Sequence, residues 1–491
     1  MKENVMHKGM DESAVLAREK AQFEKMTKWP IPKLIISLGI PTMINMMVTS
    51  LYNLADTYFV SGLGQEATGA VNVVLSLMSI IQAIGFTLGM GSGAIVSKLL
   101  GQRKQKEADT VATSAFAAAI ICGLTICIFG SLFLTPLLWL LGAPEEVGVA
   151  VTTMEYARQY TRYILFAAPF MCASYVLNNV LRAQGKALLS MFGLVSGAVI
   201  NVILDPILIY GANMAMRGAA IATCVSQIAS FGILLYIFLS GKTIVQIKRE
   251  RIAKKFAVYF DVISTGFPSF CRQILASLCT VLLSWAVKPY DGALAALGVV
   301  QKVFMFAFSI SLGIGQGYQP VLGYNHGCGR YDRVKKAYVF TLIFSTVLMT
   351  IFAAICAIFA PNIMRAFLEK ENAIEIGTLS LRLQCLCMPL LPINFMISVT
   401  YQSVGNKLAA AILSISRQGL FYIPSVLILP SAIGLFGVQC CQSVSDFFSA
   451  LFALPFTIAF FKSLNKLSEK KKEMGTQTAF QNEENLTAEK E

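Results

Sequence analysis

Leu88-Gly89-Met90-Gly91-Ser92-Gly93 returns in the second half of the chain as Leu312-Gly313-Ile314-Gly315-Gln316-Gly317. Each stretch lies in an apolar run that is followed by a basic, glycine-containing loop, Gly101 to Lys106 in one case and Gly327 to Lys336 in the other. Outward from this pair the same punctuation recurs in the same order. Leu38-Gly39-Ile40-Pro41 matches Thr265-Gly266-Phe267-Pro268, and Gln184-Gly185-Lys186 matches Val404-Gly405-Asn406-Lys407. Matches in register over this distance define an internal repeat. Glycines at such places let helix backbones approach closely, and the prolines interrupt a helical hydrogen-bond ladder.

The repeat is built from membrane spans. The chain of 491 residues is 56% apolar and only 14% charged, too little polar surface for a soluble globule of this size, so lipid must solvate it. Twelve apolar runs reach the ~20 residues needed to cross ~30 Å of hydrocarbon: 33–60, 69–97, 110–140, 157–181, 188–210, 218–240, 262–288, 294–322, 338–360, 378–402, 408–430 and 434–461. The expected fold is an all-α membrane protein with twelve transmembrane helices in two six-helix bundles. Six is even, so both halves enter the membrane from the same side. The repeat is therefore parallel, with a pseudo-two-fold axis along the membrane normal and a cavity expected between the halves. The expected divisions are a tail over 1–30, a first lobe over 31–240, a basic linker over 241–259, a second lobe over 260–462 and a tail over 463–491. The first tail has no apolar core followed by a cleavage site, so no signal peptide is expected.

Lys and Arg crowd alternate connections, from Lys25, Lys28 and Lys33 through Arg182 and Lys186 to the stretch Lys462 to Lys472. The other connections hold only Arg217, Lys288, Arg365 and Lys370. This asymmetry predicts a multi-pass protein of the cell membrane with both termini cytoplasmic. The formal charge of +13 is explained by these span-flanking residues, so no nucleic-acid partner is expected. The cysteines mostly fall inside spans, and no pair has zinc-ligand spacing. There is no P-loop, so no ATP site is expected. The two histidines, His7 in the tail and His326 in a loop, do not make an intramembrane catalytic centre.

An ionisable side chain inside a span is expensive and needs a partner or a purpose. Asp56 and Asp205 both fall in the outer half of the bilayer by residue count, with no basic residue assigned to their depth. Asn201 is one turn before Asp205 on the same helical face. Thr223 of the sixth span and Tyr160 of the fourth reach the same level, and Gln227 lies one turn beyond Thr223. Two carboxylates, an amide and two hydroxyls in one layer suit Na⁺, which prefers several oxygen ligands, or a shared proton. Arg272, Lys302, Arg417 and Asp446 are the buried charges expected in the second half, Arg417 and Asp446 as an ion pair. Tyr52, Asn178, Gln227, Gln273 and Gln301 are the polar groups expected along the substrate cavity.

Tyr52-Asn53-Leu54-Ala55-Asp56, the stretch Gly89 to Ala108, Leu181-Arg182-Ala183-Gln184-Gly185, and Gln319-Pro320 with Gly323-Tyr324-Asn325 resemble the signatures of the multidrug and toxic compound extrusion (MATE) family over about residues 30 to 462. The resemblance implies a V-shaped antiporter that exports organic cations and other drugs in exchange for Na⁺ or H⁺. It implies a cation or proton site at Asp56, Asn201, Asp205 and Thr223, joined in some members by Tyr160, and a bending point in the first helix at Pro41. The second half departs from the first: Leu282 or Leu283 and Ser425 stand where Asp56 and Asp205 would repeat. Coupling is therefore expected in the first half alone. The alternative function is a flippase for lipid-linked saccharides, disfavoured by twelve spans and an acidic first lobe. The expected partners are a small-molecule substrate, the coupling ion and the bilayer. The chain is expected to act as a monomer without a cofactor, and not as an enzyme.

Overall fold

The computed structural model describes residues 17–62, 65–141 and 149–488, and at some positions within them, Asp56 included, the side chain lies outside the described residues. No strand occurs among the described residues. Residues 17–28 form α1. The first lobe then comprises α2 (Ile31–Ser61), α3 (Gln65–Gly101), α4 (Gln105–Leu132), the short α5 (Leu134–Leu140), α6 (Val149–Ala183), α7 (Ala187–Pro206) and α8 (Ala215–Leu239). The second comprises α9 (Phe256–Ala286), α10 (Ala293–Gly327), α11 (Tyr331–Ile358), the short α12 (Ala360–Phe367), α13 (Glu371–Cys387), α14 (Leu391–Val404), α15 (Lys407–Ile415) and α16 (Ile423–Ala488). A 3₁₀ turn at Met388–Leu390 joins α13 and α14 into one span, and a π-helical turn at Ser416–Tyr422 joins α15 to α16. Another π turn, Ile207–Gly211, follows α7.

Eleven helical stretches are long and apolar enough to cross a bilayer, the last of them Lys407–Lys471. At ~1.5 Å per residue a straight helix of that length would cross three bilayers end to end. It is broken instead at Ile433 and Gly434, where Gly434 takes φ 62° and ψ −141°, a backbone region open essentially to glycine alone. The chain reverses there, which is why Arg417 on one side of the break reaches Asp446 on the other at 2.7 Å. Two spans result, and the twelve helices of the sequence reading are all present. Within each lobe the fourth-to-fifth and tenth-to-eleventh hairpins turn on Gly185 (φ 77°) and Gly405 (φ 100°), the two glycines matched by the repeat.

The opening glycine motifs are the seam between the lobes. α2 lies against α10 and α3 against α9, the two pairings that a two-fold axis exchanges. A Cβ at Gly266 would run into the Thr87 carbonyl, one at Gly317 into Gly39, and one at Gly313 into Met43. Backbones meet where other residues would hold them apart. This close packing is confined to the end of the molecule that carries the basic loops. Among the described interlobe hydrogen bonds, the one farthest from that end joins the Ser50 and Ser309 hydroxyls at 2.6 Å. Beyond it the facing helices leave polar side chains exposed, Asn72 and Ser76 on α3 and Ser277, Thr280 and Ser284 on α9. The outer circumference is apolar, with Leu140, Phe256, Trp285, Leu386 and Leu408 exposed as lipid requires.

The tails are more structured than a division into tail and lobe suggests. α1 is amphipathic: Met26 and Thr27 are buried while Glu24 and Lys28 form an exposed ion pair at 2.8 Å. Its last carbonyls are capped from the second lobe: Asn325 donates to the Met26 carbonyl, Arg330 to Thr27 and Arg333 to Trp29. Cationic donors suit the negative end of a helix. Because Arg18 donates to the Gly241 carbonyl of the first lobe's exit, α1 spans both lobes. At the other terminus α16 continues past residue 462 to Ala488, and Lys471 donates to the Cys328 and Gly329 carbonyls. The linker is strapped to the first lobe: the amides of Ile244 and Val245 bond Gln184, that of Gln246 bonds Asp109, and Arg251 pairs with Asp109.

Candidate functional site

Four of the five residues expected in the polar layer of the first lobe come together. Asn201 and Asp205 lie one turn apart on α7, and α8 packs alongside, bringing Thr223 against them. The Asn201 amide Nδ2 donates at 3.4 Å to Asp205 Oδ1 and at 3.4 Å to Thr223 Oγ1. The Tyr160 hydroxyl from α6 lies 3.0 Å from Thr223 Oγ1. All four side chains are buried, none more than 2% exposed. Asn201 Oδ1 is buried and accepts no hydrogen bond. A buried acceptor without a donor is destabilising unless something else supplies positive charge, and here it sits beside a carboxylate and two hydroxyl oxygens.

The fifth residue is placed by its backbone alone. α2 packs along α7, and Tyr210 in the π turn donates to the Phe59 carbonyl of α2 at 2.7 Å. Asp56 is about one turn before Phe59, and Asp205 about one turn before the Tyr210 segment, so the two are level. The Asp56 side chain lies outside the described residues. The π turn begins immediately after Pro206, and such local widening re-aims the flanking side chains. Among the described residues there is no group of three or more His, Cys, Asp or Glu able to hold a metal. The oxygen donors match a hard monovalent cation or a proton, and not a thiolate or imidazole metal.

The structure sorts the remaining expectations. Gln301 donates to Thr280 at 3.3 Å, and Gln273 is half-buried at the head of the polar stripe Ser277, Thr280, Ser284 on α9. Tyr52 and Gln227 are half-buried. Asn178 is corrected: it is 2% exposed and its amide bonds the Ser190 carbonyl and hydroxyl, so it clasps α6 to α7 and lines no cavity. Pro41 is buried in a helix that runs unbroken through it, between the seam contacts at Gly39 and Met43. In the second lobe Arg417 and Asp446 form the expected buried pair, while Lys302 is exposed.

Three features escaped the sequence reading. Arg182, counted there among topology-setting loop residues, is 3% exposed at the end of α6 and donates across the seam to Gln316 Oε1 and, within α6, to Asn179 Oδ1. Its place one turn beyond the buried Asn178 and Asn179 was the available signal. Arg158 and Arg162 flank Tyr160 on α6, which corrects the expectation that no basic residue lies at this depth. Both fall inside the expected span 157–181, two residues either side of Tyr160, so the residue count that sets the depth of Tyr160 sets theirs as well. The polar stripe on α9 has the spacing of one helix face, but serines in an apolar run carry little signal by themselves.

Comparison with known proteins agrees with this architecture. The family model MatE matches twice, over residues 41–207 and 268–428, once in each lobe. The multidrug export protein MepA of Staphylococcus aureus (strain MSSA476) is 25% identical over 433 residues, 87% of this chain and 93% of its own, and the MepA of Staphylococcus haemolyticus (strain JCSC1435) is 25% identical over 426 residues, 86% and 92%. A solved outward-facing multidrug resistance MATE family transporter of the MOP superfamily superposes with a TM-score of 0.84 at 27% identity, covering 90% of this chain and 98% of its own. MATE structures in a straight and a bent conformation give TM-scores of 0.84 and 0.83 at 26% identity, covering 90% and 91% of this chain and 99% of theirs. With both lobes matched by the family model and the two-lobe helical fold reproduced, the chain belongs to the MATE family of efflux transporters.

Proposed function

We propose that the chain is a secondary antiporter that exports amphipathic organic solutes, many of them cationic, in exchange for Na⁺ or H⁺, and that coupling resides in the first lobe at Asp56, Asn201, Asp205, Thr223 and Tyr160. The observation that carries this reading is the buried oxygen cluster with an unsatisfied Asn201 Oδ1 beside Asp205. A cation held between Asp205, Thr223 Oγ1 and a reoriented Asn201 amide would satisfy that oxygen. A proton on Asp205 would instead turn the carboxylate into a donor. Either event changes the charge and hydrogen bonding between α7 and α8, and a ligand shifts a conformational equilibrium to the extent that it favours one state.

The cytoplasmic assignment of the basic loops makes the described state open to the outside. Seam packing at Gly39, Gly266, Gly313 and Gly317, the Arg182–Gln316 bond and the α1 strap are then the cytoplasmic closure. Alternating access requires these to part while the outer faces of α3 and α9 close, with Pro41 giving α2 a point without a backbone donor at which to bend. The multidrug export named for the Staphylococcus relatives supports an organic-solute cargo.

The reading is tested in proteoliposomes by driving ethidium transport with a Na⁺ gradient and, separately, with a pH gradient. One gradient is expected to drive accumulation against the dye's own gradient, and Asp205→Asn to abolish it. Failure of both gradients with wild-type protein eliminates secondary antiport.

A further inference from the structure

We propose that the second lobe contains a separate subsite, at Arg272 and Arg417, for the carboxylate of an amphipathic anionic or zwitterionic solute. This rests on the efflux reading and narrows its substrate class. Arg272 on α9 is half-buried, with its guanidinium 5.4 Å from the Phe395 ring, and no described residue forms a hydrogen bond or ion pair with it. Arg417, in the π turn, gives Nε to Asp446 Oδ1 at 2.7 Å, while its Nη2 is buried and unpartnered. Asp446 Oδ1 also accepts from Gln442 at 2.9 Å, and Asp446 Oδ2 accepts nothing. The pair is therefore joined at one point on each side. An arginine that met its own carboxylate as a planar fork would use Nη2 as well.

Two guanidiniums and one carboxylate thus lie inside the lobe, and the carboxylate is held by Arg417 and Gln442, which leaves the Arg272 charge and one buried Arg417 donor uncompensated. The two cations are linked through aromatic surface. Arg417 lies 5.1 Å and 5.4 Å from the Phe304 and Phe308 rings, and Phe308 meets Phe395 edge to face at 5.6 Å. An uncompensated charge among phenyl rings is costly. A solute with a carboxylate on an apolar body supplies what is missing: oxygens for the guanidinium donors and a surface for the rings. The approach is polar, because Gln273 beside Arg272 heads the exposed stripe Ser277, Thr280 and Ser284, with Lys302 exposed on the neighbouring α10.

The test uses 11-(dansylamino)undecanoic acid and its methyl ester, which share an apolar body and differ in the anion. Each is titrated by fluorescence into the purified full-length protein in nanodiscs of zwitterionic lipid. Wild type is expected to bind the acid about tenfold more tightly than the ester, a ratio that one charge-assisted pair supplies. Arg272→Gln is expected to bring the two within about twofold, and R272K to fall between, since lysine keeps the charge and loses the fork. Equal binding of acid and ester by wild type, binding of neither, or an unchanged preference in Arg272→Gln overturns the proposal. If Arg272→Gln does not fold, R272K decides on the same criterion. Loss of acid binding in phosphatidylglycerol nanodiscs assigns the site to lipid headgroups and likewise overturns it. Gradient-driven ethidium transport by the same wild-type preparation reports on the efflux reading independently, so either can fail alone.

Discussion

In the first lobe the fifth span widens just after Asp205 and Pro206 into the π turn Ile207–Gly211; in the second the eleventh span widens at Ser416–Tyr422 around Arg417. In one lobe the irregular turn adjoins a carboxylate with amide and hydroxyl neighbours, in the other it holds a guanidinium over phenyl rings. By the register of the repeat, Gly39 with Gly266, Asn45 of α2 stands where Arg272 stands in α9. The Asn45 amide is buried and unpartnered. The two lobes therefore repeat their seam glycines and hairpins but differ in interior charge and in where the span widens: by the register Gly185 with Gly405, Ser416–Tyr422 corresponds to 196–202 inside α7, ahead of the first-lobe π turn. Helix packing needs only glycines, hairpin turns and apolar volume at matching places, which leaves the few polar interior positions free to differ.

The sharpest test of that contrast is in the second lobe. Arg417→Met strands Asp446 in an apolar interior and is expected to lower stability by about 3–5 kcal/mol, read as thermal unfolding in detergent. The double variant Arg417→Met/Asp446→Leu should recover most of the loss. A double variant no more stable than the single one would mean that the pair does more than neutralise itself.

Next in size is the first-lobe carboxylate. Asp205→Asn is expected to reduce gradient-driven dye transport about 100-fold, corresponding to a coupling free energy of ~3 kcal/mol, with the protein still folded and inserted. A comparable loss of coupling in Asp446→Asn, with Asp205→Asn active, would reverse the assignment of roles to lobes.

The seam should respond more weakly. Gly266→Ala pushes a methyl group into the Thr87 backbone and is expected to destabilise the described state by about 1–3 kcal/mol. Gly298→Ala, with nothing nearby, should be neutral. Equal melting temperatures for the two variants would show that the seam is looser than the packing implies. The smallest effect is expected from Thr223→Val, which removes the hydroxyl that joins Asn201 to Tyr160. A loss of about 1 kcal/mol should appear as a roughly fivefold higher concentration of the driving ion for half-maximal transport.

Much of this was legible before any coordinates. The spans follow from run length, and the seam glycines from their repetition. The buried oxygen cluster follows from depth counting, because an α-helix advances by a fixed rise and Asn201 and Asp205 must share a face. The misses have different physical causes. Arg158 and Arg162 lie within the expected span 157–181 and share the depth of Tyr160, Arg182 was placed in a loop because α6 runs on to Ala183 beside the other lobe, and Asn178 was given to the cavity because residue count sets depth but not the direction a side chain faces.

The sequence by itself determined the class of fold, the parallel repeat and the embedded charges Asp205, Arg417 and Asp446, though not Arg182. Each of these depends on local quantities: hydropathy over about 20 residues, glycine spacing, and the cost of burying a charge. Only the tertiary structure decided which helices form the seam, that α1 ties both lobes together, and that Arg272 and one donor of Arg417 are left uncompensated while Asp446 is held by Arg417 and Gln442. Those are questions of which side chains meet across segments far apart in the chain. Residue spacing constrains the depth of each partner but not its azimuth, and azimuth is set by packing.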